Sequence, residues 1–197
     1  MARRIPWKTV AIGSAIVGGV GVLVLASRKP AVREIAPPSS RVALIGDSYA
    51  VGLGPELQKL FPTFKFSGVV GTNTAQWASH SAACGSCGDW LTTFKPDVVL
   101  VSLGVNDGAT PNVRNYNDIV SALHGIGARV VWITPPAGVS TPAVRKTIDL
   151  LGVAEVPATT VPLAADRLHP AGDGYRVWAR EIASFITERQ VVGRVSS

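Results

Sequence analysis

Hydrophobic positions along this chain fall into short continuous runs separated by polar, glycine-rich stretches. The runs at 42–45 (VALI), 98–103 (VVLVSL) and 128–134 (ARVVWIT) show no alternation, the mark of strands covered on both faces. Residues 64–70 (FKFSGVV) predict another strand, and a short last one falls within 155–161. Between these runs the spacing becomes helical. Ile119, Val120 and Leu123 give 116–123 an apolar stripe. Further helices are predicted at 51–60 (stopped by Pro62), 74–81, 144–151 and 175–187. The small, polar stretch 79–89 (SHSAACGSCGD) reads as a loop. Strands that alternate with helices predict a parallel sheet with helices on both faces.

The pattern breaks at the N-terminus. Residues 9–27 form nineteen positions without a charge, long enough at about 1.5 Å per residue to cross a bilayer. Arg3, Arg4 and Lys8 precede this stretch, and Arg28, Lys29 and Arg33 follow it. The resulting division is a basic N-terminus (1–8), a transmembrane anchor (9–27), a proline- and serine-rich linker (28–40), a folded domain (41–190) and a tail (191–197). A cleaved signal peptide is the rival reading. The apolar stretch exceeds the usual apolar region of a signal peptide, and the small-residue sites at 24–27 match a cleavage site poorly. The basic side chains on the two sides of the stretch nearly balance, and the free amino terminus tips the N-terminus inside; an anchored domain then lies outside the cytoplasm, and cleavage would make it secreted.

Composition changes the picture little. Apolar residues are 47% of the 197 and charged residues 16%, which excludes a disordered chain. The net charge of +6 raises nucleic-acid binding. However, six of the 19 basic residues flank the apolar N-terminal stretch, and no basic run is interleaved with aromatics. A solvated basic surface is the simpler reading, with no nucleic-acid partner.

Candidate chemistry sits at the ends of the predicted strands. Gly46-Asp47-Ser48 follows the first, and Gly71-Thr72-Asn73 the second. Gly104-Val105-Asn106-Asp107 follows the third, and Asp166-Arg167-Leu168-His169 stands near the end of the domain. Four such blocks in this order resemble the SGNH, or GDSL-type, serine hydrolases over about residues 41–186. The α/β-hydrolase nucleophile turn fits less well, because it needs glycine two residues after the serine and Ala50 stands there. The resemblance implies a three-layer α/β/α, flavodoxin-like domain with a parallel sheet of about five strands, here preceded by one N-terminal transmembrane helix.

Acyl transfer needs a nucleophile, a base, a group that orients the base, and donors for the oxyanion. Ser48 is the candidate nucleophile and His169 its base. Asp166, three residues earlier, is close enough to fix the imidazole tautomer. The resemblance implies three oxyanion donors: the backbone N–H of Ser48, the backbone N–H of Gly71 and the side-chain amide of Asn106. Choosing Gly71 over Gly68 is a matter of register. Asp47 and Asp107 read as acids that order their loops. The resemblance further implies an esterase or deacetylase acting on a small-molecule, lipid or glycan ester, with no cofactor. An external location makes O-acetyl groups on cell-envelope glycans a natural substrate. Two other readings use the same chain: an O-acyltransferase on the same scaffold, and a non-catalytic, membrane-anchored envelope or virion component.

Cys84 and Cys87 form a C-x-x-C that reads as a redox pair, half a zinc site or a small disulfide. A zinc site lacks a second ligand pair, so no metal is expected, and outside the cytoplasm a disulfide leads. His80 and His124 read as exposed or locally bonded. Trp77 and Trp90 flank the loop and read either as walls of an acyl or sugar pocket or as core cover.

Overall fold

The computed structural model describes residues 40–80, 88–139 and 141–187. The anchor at 9–27, the linker up to residue 39, the tail at 191–197 and the Cys84–Cys87 pair lie outside the described residues. Among the described residues, no helix is long and apolar enough to cross a membrane.

Five parallel strands form one sheet: β1 (Val42–Gly46), β2 (Phe64–Gly68), β3 (Val98–Ser102), β4 (Arg129–Ile133) and β5 (Ala154–Val156). Their order is β2-β1-β3-β4-β5. The chain therefore leaves β1 towards one edge and returns to build on its other side at β3. This is the flavodoxin-like order, and its switch point lies between β1 and β3. The helices are α1 (Ser48–Gln58), α2 (Thr74–Ala78), α3 (Trp90–Phe94), α4 (Val113–Gly125), α5 (Pro142–Leu151) and α6 (Gly174–Thr187).

Every residue of β1 and β3 is buried, as their unbroken apolar runs require. Alternate side chains feed two cores. Val42, Leu44, Val98, Leu100, Val131 and Ile133 face one layer, with Leu53 and Leu57 of α1 and Trp178 and Ile182 of α6. Ala43, Ile45, Val99, Val101, Val130 and Trp132 face the other, with Trp77, Leu91, Ile119, Leu123, Val144 and Ile148. The expected three-layer α/β/α arrangement is present.

Some boundaries differ from the sequence reading. Helix α1 starts at Ser48 rather than residue 51, because the Asp47 side chain accepts the Tyr49 N–H and caps the helix there. It runs through Pro55, which loses only one intrahelical bond, and ends at Gln58, ahead of Pro62. Strand β2 stops at Gly68 instead of residue 70, and α2 at Ala78 instead of residue 81. Strand β5 is three residues long, at the start of the 155–161 region and one residue earlier.

Candidate active site

The C-terminal end of β1 delivers Ser48. A Cβ on Gly46 would lie 2.2 Å from the Ser102 carbonyl oxygen, so only glycine lets the chain pass this close to β3. The Asp47 N–H donates to that same oxygen at 3.1 Å. Asp47 then caps α1, and Ser48 is its first residue. The first amides of a helix have no partner within it and lie at its positive end. The Ser48 N–H accordingly has no acceptor among the described residues.

The base arrives from the loop that precedes α6. Leu163 and Pro170 form an antiparallel bridge, and the Ala164 N–H donates to the His169 carbonyl at 2.8 Å. Inside this loop Asp166 Oδ1 accepts the N–H groups of Leu168 (2.9 Å) and His169 (3.0 Å). Arg167 adopts a left-handed conformation (φ 55°), at a cost of about 1 kcal/mol, so that the loop can close around that carboxylate. Asp166 Oδ2 lies 2.7 Å from His169 Nδ1, and His169 Nε2 lies 2.8 Å from Ser48 Oγ.

A carboxylate only accepts, so Nδ1 carries the imidazole proton and Nε2 is free to accept from the Ser48 hydroxyl. Hydrogen bonds from His169 and from the two backbone amides hold the Asp166 carboxyl down at about 2. The three residues singled out from sequence therefore converge, across 121 residues between Ser48 and His169.

The oxyanion candidates lie on two loops tied together. Asn106 Nδ2 donates to the Thr72 carbonyl at 2.9 Å and lies 3.4 Å from Asp47 Oδ2. Asp107 accepts from the Thr74 N–H (2.9 Å) and the Thr74 hydroxyl (2.6 Å). The Trp77 indole N–H donates to Thr72 Oγ1, whose own hydroxyl donates to the Val69 carbonyl. Gly71 has φ 77° and open space where a Cβ would stand, and its N–H has no acceptor among the described residues. Gly68 sits differently: a Cβ there would lie 2.7 Å from the Val51 backbone nitrogen. Of the two glycines, Gly71 is thus the one whose surroundings leave room for a ligand.

Asp47 is fully buried, and burial pushes its carboxyl up to about 7 against the opposing pull of the Tyr49 amide. It does more than order a loop, since it also sets the start of α1. Asp107 does order a loop, as expected.

Trp77 belongs to the core and donates to Thr72, and it also lines a cavity with Ala78, Leu91 and Ile119, away from Ser48 and His169. Trp90 packs against the same core and tilts against Phe94. His80 is exposed and 3.7 Å from Asp89, and His124 is exposed at the end of α4. Among the described residues, no cluster of side chains is arranged to hold a metal ion.

Sequence reasoning missed Tyr49, Thr72 and Thr74. The two threonines carry no signal outside the fold, because each is defined by a bond to a distant loop or to a local turn. Tyr49 carried a faint one, since a buried tyrosine needs a partner for its hydroxyl.

No protein-family model matches the chain, and no curated protein sequence matches it. Solved structures do. A candidate SGNH hydrolase from Slackia heliotrinireducens superposes with a TM-score of 0.60 at 16% identity, over 74% of this chain and 98% of its own. Axe2, an acetylxylan esterase from Geobacillus stearothermophilus, gives 0.55 at 16% identity over 82% and 100%. A GDSL-like lipase from Bacteroides thetaiotaomicron gives 0.53 at 16% identity over 79% and 92%. With its β2-β1-β3-β4-β5 sheet, this chain has the fold of the SGNH/GDSL hydrolases, a fold it shares with enzymes that act on ester bonds.

Proposed function

We propose that this protein is an SGNH-type serine esterase that removes a small acyl group through an acyl-Ser48 intermediate. The observation that carries the proposal is the 2.8 Å contact between Ser48 Oγ and His169 Nε2, with Asp166 behind the imidazole. In the first step His169 Nε2 takes the Ser48 proton while Oγ bonds to the ester carbonyl carbon. The carbonyl oxygen becomes an oxyanion facing the Ser48 and Gly71 amides and the Asn106 side chain. The Asn106 amide has two N–H bonds. One is engaged by Thr72, and the other has only the long contact to Asp47, which leaves it available to the oxyanion. The tetrahedral species collapses, and the leaving alkoxide takes the proton from His169. Water then adds to the acyl-enzyme with His169 as base, and release of the acid restores the Ser48 hydroxyl.

Within this reading the substrate is an O-acetylated glycan of the cell envelope. The acetylxylan esterase among the structural neighbours supports an O-acetyl sugar. Residues 9–27 supply the membrane anchor, with the hydrolase domain outside the cytoplasm, on the strength of nineteen uncharged positions. The test is hydrolysis of p-nitrophenyl acetate and labelling by a fluorophosphonate, with the full chain and with Ser48→Ala. The parent is expected to turn over and label. The variant is expected to lose at least roughly a thousandfold in kcat and all labelling. Equal rates for the two would defeat the esterase reading. Product analysis with an added sugar acceptor separates hydrolysis from acyl transfer.

A further inference from the structure

We infer that Tyr49 is a positioning residue for the base, holding the His169 imidazole against Ser48 from within the nucleophile's own helix. The inference rests on the esterase reading and adds to it a residue outside the triad and the oxyanion donors. Tyr49 follows Ser48 directly and is 1% exposed. Its hydroxyl donates to the Leu168 carbonyl at 3.0 Å, across 119 residues of sequence. Its ring meets the imidazole edge-on, with centroids 5.6 Å apart and planes at 61°. The indole of Trp178, fully buried, backs the phenol ring at 5.3 Å and 86°. The phenol is therefore clamped between α6 and the base loop.

The loop's own hydrogen bonds explain its shape but not its place. The bonds of Asp166 Oδ1 and the Ala164–His169 contact all lie inside it. Among the described residues, two hydrogen bonds join this loop to α1: Ser48 to His169, and Tyr49 to Leu168. The first is broken and remade during turnover. The second is not, so it holds the register of imidazole and hydroxyl while protons move. Burial raises the phenol well above its ordinary acidity range, so it stays a donor throughout the working pH. A misplacement on the order of 1 Å between reacting groups costs about a hundredfold in rate, and a partial release of the loop costs less.

The experiment compares the full-length parent, Tyr49→Phe and Tyr49→p-aminophenylalanine, the last keeping a donor at the same reach. Two readouts are taken: kcat and KM on p-nitrophenyl acetate, and the proton resonance of His169 Nδ1–H in the substrate-free protein. Tyr49→Phe is expected to lower kcat about tenfold with KM within twofold, and to shift or broaden the resonance. The amino variant is expected to stay near the parent in both. A Tyr49→Phe protein with kcat within twofold of the parent, or with an unmoved resonance, overturns the inference. Should Tyr49→Phe not fold, a tenfold loss in the amino variant overturns it and near-parental values support it. A parent that neither hydrolyses nor labels would defeat the esterase reading instead, and the resonance would still decide whether Tyr49 sets the imidazole.

Discussion

The nucleophile and its base are built by different means in this molecule. Ser48 stands at the junction of β1 and α1, behind a strand that is buried throughout. Leu44, fully buried in that strand, alone contributes about 1.5–3 kcal/mol by leaving water. His169 and Asp166 stand on a loop with one third and one half of their side chains exposed, shaped by short-range hydrogen bonds. Two aspartates register the difference. Burial pushes Asp47, at the junction, up to about 7, while hydrogen bonds hold Asp166, in the loop, down at about 2. One residue type is thus driven in opposite directions, at Asp47 next to the serine in sequence and at Asp166 behind its base. The core supplies a fixed reference point, and the loop supplies a charge that stays on. It follows that loop variants should lose rate without losing the fold, whereas a change at Asp47, which caps the junction, should reveal itself in stability.

The sharpest way to break this contrast is Asp166→Asn. The amide cannot hold the imidazole tautomer, so kcat should fall on the order of 10³–10⁴-fold while the melting temperature hardly moves. A parallel loss of both would mean that the loop is part of the folding unit. The parent's pH profile adds a second reading. The Asp166 carboxylate is ionised above about pH 2, so a fall in kcat/KM at pH 4 or higher must come from another group.

Next in size is Asn106→Ala, which removes one oxyanion donor along with its bond to the Thr72 carbonyl. A loss of about 10²–10³ in kcat with little change in KM is expected from steady-state kinetics. A loss confined to KM would place Asn106 in ground-state binding.

The smallest effect is Asp47→Asn, read by denaturant titration across pH. Asp47 has a folded pKa raised from 3.8 to about 7, so the fold favours its protonated form. Its contribution is complete below about pH 4, shrinks as the pH rises, and is gone once the pH passes through about 7. The parent should lose stability over that window relative to Asp47→Asn, whose side chain can still cap α1 but does not titrate. Identical pH slopes would show that the junction is wetter than its burial implies.

Much of this site could be read along the chain because its parts are short and local. The unbroken runs in β1 and β3 announced covered central strands, and the turns after them had to lie at the sheet's carboxyl edge. Asp166 and His169 are three residues apart, so their pairing needed only one turn of chain. The start of α1 is not legible in the sequence, because Asp47 in a Gly-Asp-Ser turn gives no sign of which amide its side chain will cap. The surroundings of Trp77 are not legible for a similar reason. An indole beside a loop becomes core, cavity wall or both according to what packs on it, and here Thr72 takes its N–H. The tie between Tyr49 and Leu168 was beyond any window of sequence, since its partner is a backbone carbonyl 119 residues away.

By itself, then, the sequence determined the alternation of strands and helices, the blocks that carry chemistry, and their order, because each depends on residues a few positions apart. Only the tertiary structure decided which glycine stands in open space, which aspartate is buried and which exposed, and how the base loop is held against α1. Burial, electrostatic shift and long-range hydrogen bonding are properties of what surrounds a residue, and those surroundings exist only once the sheet has brought distant segments together.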